Sequence, residues 1–323
     1  MIAATLLFAA PALAGDQLLN VSYDPTRELW KAVNAQFIPA WQQKSGQTLD
    51  IKQSHGGSGS QARAVVDGLE ADVVTLAMWP DTDAIRKVGL ISDGWESRFP
   101  NNSTPYTSTI VFLVRKGNPK GIKDWKDLVQ PGVEIITPNP KTSGNGKLSF
   151  LAAWGAILQG GGGETDAKEF VTTLARQAPV LDAAARGASV TFAQKGIGDV
   201  QLTWENEAHL QLKETPGEFE IVYPSVSFLA EPPVAVVDVN ARRHGTTDAA
   251  TAYLNFLYTP EGQELIAQNF YRPIDPTVAA KHQSTFPAIT FFKVDAVARD
   301  WNDAYAKFFG EGKIFDSIYQ QGK

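Results

Sequence analysis

The sequence predicts an α/β protein of two lobes that face each other across a cleft. Three observations carry this prediction: apolar β-branched runs alternate with stretches of helical spacing, the alternation occurs in two successive blocks, and extended runs join the blocks. Strand–helix–strand order predicts parallel strands with right-handed crossovers. Ligands of open α/β sheets bind where strands end and helices begin. We therefore expect a binding site in the cleft.

The first block alternates three strands with two helices. Apolar runs predict strands over 18–23, 49–53 and 72–76, and the spacing of large apolar residues predicts helices over 26–43 and 61–69. Pro25 directly follows the first strand, which indicates a turn, and Asp24 or Thr26 is expected to cap the first helix.

The second block repeats the alternation and leads into a mainly helical end. Strands are predicted over 109–115, 134–137, 199–204, 219–224 and 233–238, and helices over 147–158, 167–177, a stretch ending near 195, 249–258 and 260–269. The glycine tract 160–163 is expected to be a surface turn. No Lys-Ser or Lys-Thr pair follows it, so it is not a P-loop.

Composition and charge exclude several classes of protein. The chain has 323 residues, enough for two lobes, and its net charge of −6 argues against a nucleic-acid or acidic-membrane partner. There is no cysteine, which excludes disulfides, thiolate metal sites and cysteine nucleophiles. The four histidines are scattered without metal-ligand spacing. We therefore expect neither a metal nor a cofactor.

The first residues resemble a secretory signal. Residues 1–14 are apolar, contain Pro11 and end in Ala12-Leu13-Ala14, a small-x-small cleavage pattern. Pro11 would break a helix formed by the same residues. Cleavage after Ala14 would release an exported protein.

Three short, donor-rich segments each precede a predicted helix. They cover 54–60, 141–146 and 185–189. A helix N-terminus carries unpaired N–H groups and about half a positive charge. Small residues let an anion approach the backbone, and Gly57 and Gly59 are expected to adopt unusual φ/ψ angles. One such segment is ordinary capping, which stays the alternative for each alone. Three together predict a pocket for a tetrahedral anion.

Individual residues in and near these segments supply candidate donors. They are the backbone N–H groups of Ser58, Gly144, Asn145 and Ala185 and the hydroxyl of Ser143. Trp204 ends a predicted strand, and its indole N–H is a donor with no acceptor function; core packing is the alternative. Asp24 would repel a dianion, so we expect it to hold loop N–H groups. Arg186 is expected at the surface or in an ion pair.

A serine hydrolase is the alternative from another class. His55-Gly56-Gly57 is similar to an oxyanion-hole motif, and Ser58, His55 and Asp24 are triad residue types. However, Ser60 breaks the G-x-S-x-G pattern, and His55 lies too near Ser58 in sequence for a typical triad base. We therefore expect no enzyme activity.

Longer motifs connect the chain to a known family. In order along the sequence, the segments 20–29, 54–59, 105–119, 136–144, 185–187, 204–208 and 269–273 closely resemble the bacterial periplasmic sulfate-binding proteins. The resemblance implies a type II periplasmic binding protein fold, with 15–108 plus 234–323 as lobe 1 and 109–233 as lobe 2. It also implies a periplasmic monomer that delivers sulfate to the membrane permease of an ABC importer.

The family also implies roles for residues at matching positions. Sulfate would be held by the donors named above: the N–H groups of Ser58, Gly144, Asn145 and Ala185, the Ser143 hydroxyl, and Nε1 of Trp204. Asp24, His55 and Arg186 would lie behind them. The family often has Gly-Gly and then Arg where this chain has Asn145 and Lys147; Asn tolerates left-handed φ better than most residues, so we expect its backbone donor to be kept. Alternative ligands are thiosulfate, molybdate and tungstate. An alternative partner is a sensor protein instead of a permease.

Overall fold

A computed structural model describes residues 16–321, so the predicted signal segment 1–14 lies outside the described residues. The strands are β1 (Asp16–Tyr23), β2 (Leu49–Gly56), β3 (Val73–Thr75), β4 (Tyr106–Thr107), β5 (Ile110–Arg115), β6 (Ile135–Pro138), β7 (Leu181–Asp182), β8 (Val200–Trp204), β9 (Phe219–Val222), β10 (Val226–Phe228), β11 (Val234–Val236), β12 (Arg272–Pro273) and β13 (Thr290–Phe292). The helices are α1 (Arg27–Ser45), α2 (Ser58–Val66), α3 (Trp79–Lys87), α4 (Pro100–Ser103), α5 (Gly144–Gln159), α6 (Glu164–Arg176), α7 (Ala185–Ser189), α8 (Glu205–Glu214), α9 (Asp238–His244), α10 (Thr247–Phe256), α11 (Pro260–Gln268), α12 (Pro276–Lys281), α13 (Trp301–Ala304) and α14 (Ile314–Gln321).

Lobe 1 is built around a four-stranded sheet in the order β11-β3-β1-β2. Strand β1 runs parallel to β2 and β3, as the sequence predicted, and β11 joins antiparallel to β3. The register places Tyr23 opposite Gly56, so β1 and β2 end at the same edge. The helices that follow these strands therefore begin at one edge of lobe 1.

Lobe 2 is built around a five-stranded sheet in the order β7-β6-β8-β5-β9. It is mixed: β6 is parallel to β7 and β8, whereas β5 is antiparallel to β8 and β9. Strand β5 reads as an unbroken apolar run, and Ile110 to Val114 are buried on both faces. Such runs are typical of a strand covered on both sides.

The helices at the polar segments begin earlier than the apolar spacing predicted. Helix α2 begins at Ser58 instead of 61, and α5 begins at Gly144 instead of 147. Small residues carry no apolar periodicity, so the spacing does not detect a first turn made of them. Thr26, one of the two predicted residues, is the N-cap of α1, but its side chain makes no capping hydrogen bond, and Asp24 to Thr26 form a 3₁₀ turn ahead of the helix.

The chain crosses between the lobes beside a buried aromatic cluster. Ser108 and Ala230, on the outgoing and returning crossings, exchange backbone hydrogen bonds of 3.0 and 2.9 Å. Next to them, the Tyr23 and Tyr106 hydroxyls lie 3.3 Å apart, and Tyr106 packs against Tyr271 with ring centroids 4.6 Å apart. This pairing leaves the two crossings side by side, where a hinge between lobes is expected.

The end of the described chain packs on lobe 2. Strand β13 pairs with β10, and α14 packs on α6. Phe150 of α5 contacts the rings of Phe308, Phe309 and Phe315. Residues 290–321 therefore cover the outer helices of lobe 2.

Two kinds of feature are absent from the described residues. Within 16–321, no helix has the length and apolar character needed to cross a membrane. The same residues contain no group of three or more His, Asp or Glu side chains arranged to hold a metal ion.

Candidate functional site

The three donor-rich segments meet at Gly57. A Cβ placed on Gly57 would lie 2.5 Å from the carbonyl oxygen of Thr142 and 3.2 Å from that of Ala183. Thr142 belongs to the second segment and Ala183 lies two residues before the third, and the Thr142 hydroxyl donates to the Ala183 carbonyl over 2.6 Å. The segments of lobe 2 are thus joined to each other and closed against lobe 1.

Each segment presents the first turn of a helix. Ser58, Gly144 and Ala185 are the first residues of α2, α5 and α7, and N–H groups at this position have no acceptor within their own helix. A Cβ placed on Gly144 would lie 2.5 Å from Ala77 Cβ and 3.3 Å from Ser58 Cβ. The first turns of α2 and α5 therefore face each other across the closed cleft.

Glycine is needed here for space and not for unusual backbone angles. Gly57 has φ −61°, which any residue adopts, and Gly59 lies inside α2. The expected special φ/ψ of these glycines was wrong; the close approach of Thr142 is the reason for Gly57. Likewise Asn145 lies within α5 and has no positive φ, so its tolerance of left-handed angles is not used.

The second segment combines a cap with a spare donor. Ser143 is the N-cap of α5, and its Oγ accepts from Gly146 N over 3.4 Å. The Ser143 hydroxyl proton stays available to an acceptor. The Asn145 side chain is buried; its Oδ1 accepts from Ser149 Oγ over 2.9 Å, while its Nδ2 has no hydrogen-bond partner among the described residues.

Trp204 places a buried indole beside the Tyr23 ring, at the carboxyl end of β8. Its side chain is fully buried, and its ring lies 5.4 Å from that of Tyr23, centroid to centroid. Trp204 is the N-cap residue of α8. Its Nε1 has no hydrogen-bond partner within the part of the chain that the structure describes. A buried unpaired N–H costs free energy unless an acceptor reaches it.

Asp24 and Arg186 join the lobes beside these donors. The backbone N–H of Arg186 donates to Asp24 Oδ2 over 2.8 Å, so Asp24 holds an N–H group at the start of α7. The Arg186 guanidinium lies 2.9 Å from Glu28 Oε2 and 3.0 Å from Glu207 Oε1. The arginine is thus in an ion pair with two carboxylates, one of the alternatives that the sequence left open.

Burial sets the ionisation of this group. Burial raises the pKa of Glu207 to about 7; Arg186 opposes the shift, and the charges of Asp24 and Glu28 add to it. Burial likewise raises the pKa of Asp24, against the N–H bond and charge of Arg186. Two carboxyls near the site therefore favour their neutral forms more than exposed carboxyls do.

His55 adds no positive charge near neutral pH. Burial, helped by the Arg27 guanidinium, lowers the pKa of His55 to about 4. Its Nδ1 lies 2.6 Å from Ser22 Oγ, whereas Ser58 Oγ donates to Asp81 Oδ2 over 2.6 Å. Ser58 and His55 thus each have other partners, and this geometry does not assemble the hydrolase triad considered from the sequence.

Two residues at the site were not identified from the sequence as an interacting pair. Asp81 accepts the Ser58 hydroxyl, and its other oxygen lies 2.6 Å from Lys147 Nζ. Asp81 stands in the first turn of α3, just after β3. An acidic residue at a strand-to-helix junction could have indicated Asp81 from the sequence. Nothing in the sequence indicated that it pairs with Lys147, which lies 66 positions away.

Two lobes with buried donors facing each other across a cleft define a solute-binding protein. Residues 28–272 match the family described as bacterial extracellular solute-binding protein, and the chain belongs to this family. Its relatives include the sulfate-binding protein of Escherichia coli, 52% identical over 97% of this chain and 96% of the relative.

Two further comparisons cover nearly the whole chain. The thiosulfate-binding protein of Pseudomonas aeruginosa is 48% identical over 99% of this chain and 97% of its own. Among solved structures, the sulfate-binding protein SubI of Mycobacterium tuberculosis superposes with a TM-score of 0.81 at 34% identity, over 90% of this chain and 98% of that one. These likenesses confirm the predicted family and its two-lobed α/β fold.

Proposed function

We propose that this protein binds sulfate in the cleft between its lobes and delivers it to an ABC importer. One observation carries the proposal: the buried Trp204 indole N–H has no partner among the described residues, and Trp204 packs on Tyr23, the neighbour of the Asp24 that joins the start of α7. An acceptor-only solute would satisfy this N–H and the first-turn N–H groups together. The names of the relatives point to the same class of solute.

In the proposed complex, neutral groups make every contact to the anion. The donors are the N–H groups of Ser58, Gly144, Asn145 and Ala185, the hydroxyl of Ser143 and Nε1 of Trp204. Asp24, His55 and Arg186 stand behind them: Asp24 holds the Arg186 N–H, and Arg186 is engaged by Glu28 and Glu207. Release then breaks no ion pair between protein and anion.

A pocket of donors distinguishes sulfate from phosphate. Sulfate is fully ionised near neutral pH, whereas phosphate keeps a proton that needs an acceptor. Facing donors only, this buried proton would be unpaired, which costs roughly 1–3 kcal/mol or more. Rejection based on an unpaired buried group reaches about 10⁴–10⁵ in favourable cases.

Thiosulfate is the second candidate. The 48% identical relative from Pseudomonas aeruginosa is named a thiosulfate-binding protein. Thiosulfate is also a dianion that mostly accepts hydrogen bonds, so the same donors would hold it. The unpaired Nδ2 of Asn145 is one more buried donor in the second segment, available to a larger anion. The titration below compares the affinities for the two anions.

The cellular setting follows from the same proposal. The protein would be exported after cleavage of 1–14, act as a periplasmic monomer and dock on the importer's membrane subunit. We propose 15–108 plus 234–289 as lobe 1 and 109–233 plus 290–321 as lobe 2. The contacts of 290–321 with α5 and α6 favour grouping that segment with lobe 2, unlike the boundary drawn from the sequence.

Calorimetric titration tests the proposal. Purified protein titrated with sulfate, thiosulfate, molybdate and phosphate should bind one sulfate per chain and should bind phosphate at least about a thousandfold more weakly near pH 7. The anion and the named donors do not titrate between pH 6 and 8, so a change of sulfate affinity in this range should come from Glu207, whose pKa burial raises to about 7. Preference for thiosulfate would select the second candidate, and binding of none of the four would refute the proposal.

A further inference from the structure

An unpaired side-chain donor stands in the first turn of α5. Asn145 is 1% exposed, and its Nδ2 has no hydrogen-bond partner among the described residues. A buried N–H group without an acceptor costs free energy, so native structures rarely keep one without a use. The backbone N–H of the same residue is one of the proposed anion donors. The side chain therefore branches from the backbone at a proposed contact to the anion.

Ser149 fixes which end of the Asn145 amide is free. Its Oγ donates to Asn145 Oδ1 over 2.9 Å, and Ser149 is itself buried one helical turn further along α5. The oxygen and the nitrogen of an amide leave the same carbon in different directions. The bond therefore holds the oxygen toward Ser149 and turns the nitrogen away from it, so that a donor and not an acceptor stays free.

The neighbours of Asn145 show which side of α5 its side chain leaves from. Successive residues of an α-helix point about 100° apart. A Cβ placed on Gly144 would lie 3.3 Å from Ser58 Cβ, so Gly144 faces lobe 1. A Cβ placed on Gly146 would meet the Pro138 carbonyl oxygen, so Gly146 faces the end of β6. Asn145 lies between these two directions, and its side chain therefore points between lobe 1 and the sheet of lobe 2.

The opposite side of α5 is covered by the end of the described chain. Phe150 contacts the rings of Phe308, Phe309 and Phe315. Phe150 follows Asn145 by five positions, which is about 140° around a helix. The free Nδ2 is therefore on the inner side of α5, where the first turns of α2 and α5 face each other.

Thiosulfate offers an acceptor that extends further than any oxygen of sulfate. It replaces one sulfate oxygen by a second sulfur atom, which is larger, lies at the end of a longer bond and carries part of the negative charge. First-turn N–H groups lie on the helix backbone, whereas Nδ2 stands at the end of a side chain. Hydrogen bonds to a charged acceptor are stronger than those between neutral groups. The unpaired Nδ2 thus suits the atom that distinguishes thiosulfate from sulfate.

We propose that Asn145 Nδ2 binds the terminal sulfur of thiosulfate, so that the cleft takes thiosulfate as well as sulfate. The inference rests on the proposed binding of an anion in the cleft, and it adds the contact that separates two such anions. Ser149 is a positioning residue, because it acts through Asn145 Oδ1 and does not contact the anion.

Asn145→Ala tests the contact directly. The substitution keeps the backbone N–H and the Cβ and removes the amide. In calorimetry, the thiosulfate affinity should fall about tenfold more than the sulfate affinity, because only thiosulfate brings an acceptor to Nδ2. Equal losses for the two anions would overturn the proposal, and so would a thiosulfate affinity equal to that of the parent.

Ser149→Ala tests the orientation of the amide. It leaves Asn145 in place but removes the donor that holds Oδ1. The ratio of thiosulfate affinity to sulfate affinity should fall as in Asn145→Ala, by a smaller factor, because Nδ2 is still present but no longer held. An unchanged ratio would overturn the positioning role of Ser149.

Asn240→Ala is the matched control. Asn240 is also a buried asparagine near the start of a helix, α9 of lobe 1, but its Nδ2 donates to the Ala71 carbonyl over 2.9 Å. The substitution should lower the melting temperature and leave the ratio of the two affinities unchanged. A shift of the ratio as large as in Asn145→Ala would overturn the proposal, because the ratio would then respond to any loss of stability.

A crystal structure with thiosulfate gives a readout that needs no variant. The anomalous signal of sulfur locates the two sulfur atoms, and the terminal one should lie within hydrogen-bond distance of Asn145 Nδ2. A terminal sulfur placed against Trp204 Nε1 instead would overturn the inference. A parent that binds sulfate but not thiosulfate would also overturn it and leave the proposed function intact, whereas a parent that binds neither anion would refute the proposed function itself.

Discussion

The proposed anion donors are buried and the ion pairs around them are buried or half-buried, yet the two sets are built in opposite ways. The donors are the starts of α2, α5 and α7 with Trp204, and they carry no full charge. The ion pairs bring Arg186 to Glu28 and Glu207, and Lys147 to Asp81, so that each cation meets a carboxylate. The proposed donors thus carry no full charge, whereas opposite charges balance within the ion pairs.

The difference assigns separate tasks to the two regions. Neutral N–H groups can hold a dianion and release it, because no protein cation has to be separated from it. The charged pairs cross from lobe to lobe, as Lys147–Asp81 and Arg186–Glu28 do. The proposed donors would select the ligand, whereas the ion pairs join one lobe to the other. Three substitutions test this division, from the largest expected effect to the smallest.

Gly57→Ala should have the largest effect. Its Cβ would lie 2.5 Å from the Thr142 carbonyl oxygen in the closed form, while the backbone angles suit alanine. Overpacking of this kind costs about 1–3 kcal/mol, so sulfate affinity measured by calorimetry should fall by up to about a hundredfold. Gly163→Ala is the control, since its Cβ meets nothing closer than 3.6 Å. Unchanged affinity in Gly57→Ala would mean that the cleft does not close as described.

Trp204→Phe should have an effect of nearly the same size on sulfate affinity. It removes the unpaired Nε1 donor and keeps an aromatic ring against Tyr23. Loss of one hydrogen bond to a charged group costs roughly 1.5–3 kcal/mol, so affinity should fall by about ten- to a hundredfold. Trp154→Phe is a matched control, because Trp154 is also buried with an unpaired Nε1 but packs against Phe150 and Phe308. Equal losses in both variants would remove Trp204 from the site.

Glu207→Gln should have the smallest effect on sulfate affinity. Its main effect should be on the pH dependence of folding. The pKa of Glu207 is raised from 4.5 to about 7 by burial. Its protonation therefore stabilises the folded form fully below about pH 4.5, and this contribution is lost as pH rises through about 7. Between pH 5 and 8, the free energy of unfolding of the parent should fall more than that of the variant, by on the order of 2 kcal/mol. The melting temperatures of the two proteins should show the same trend. Glu169→Gln, on an exposed position of α6, should follow the parent; parallel curves for Glu207→Gln would contradict the raised pKa.

The sequence predicted the strands and the donor-rich segments better than it predicted the contacts between them. The strands 18–23, 49–53 and 109–115 were located from their apolar runs, because burial on a sheet selects such residues. The first turns at Ser58 and Gly144 were missed, since small residues carry no periodic signal. The donor-rich segments were identified as helix starts nevertheless, from their composition and order.

By itself, the sequence determined the α/β class, the positions of the donor-rich segments and the family, because local patterning and long ordered motifs are properties of the linear chain. Only the tertiary structure decided that Gly57 is needed for space against Thr142, that Trp204 Nε1 is unpaired, and that Lys147 pairs with Asp81. Each of these depends on atoms that are distant in sequence and meet when the two lobes close, and no local propensity encodes such a meeting.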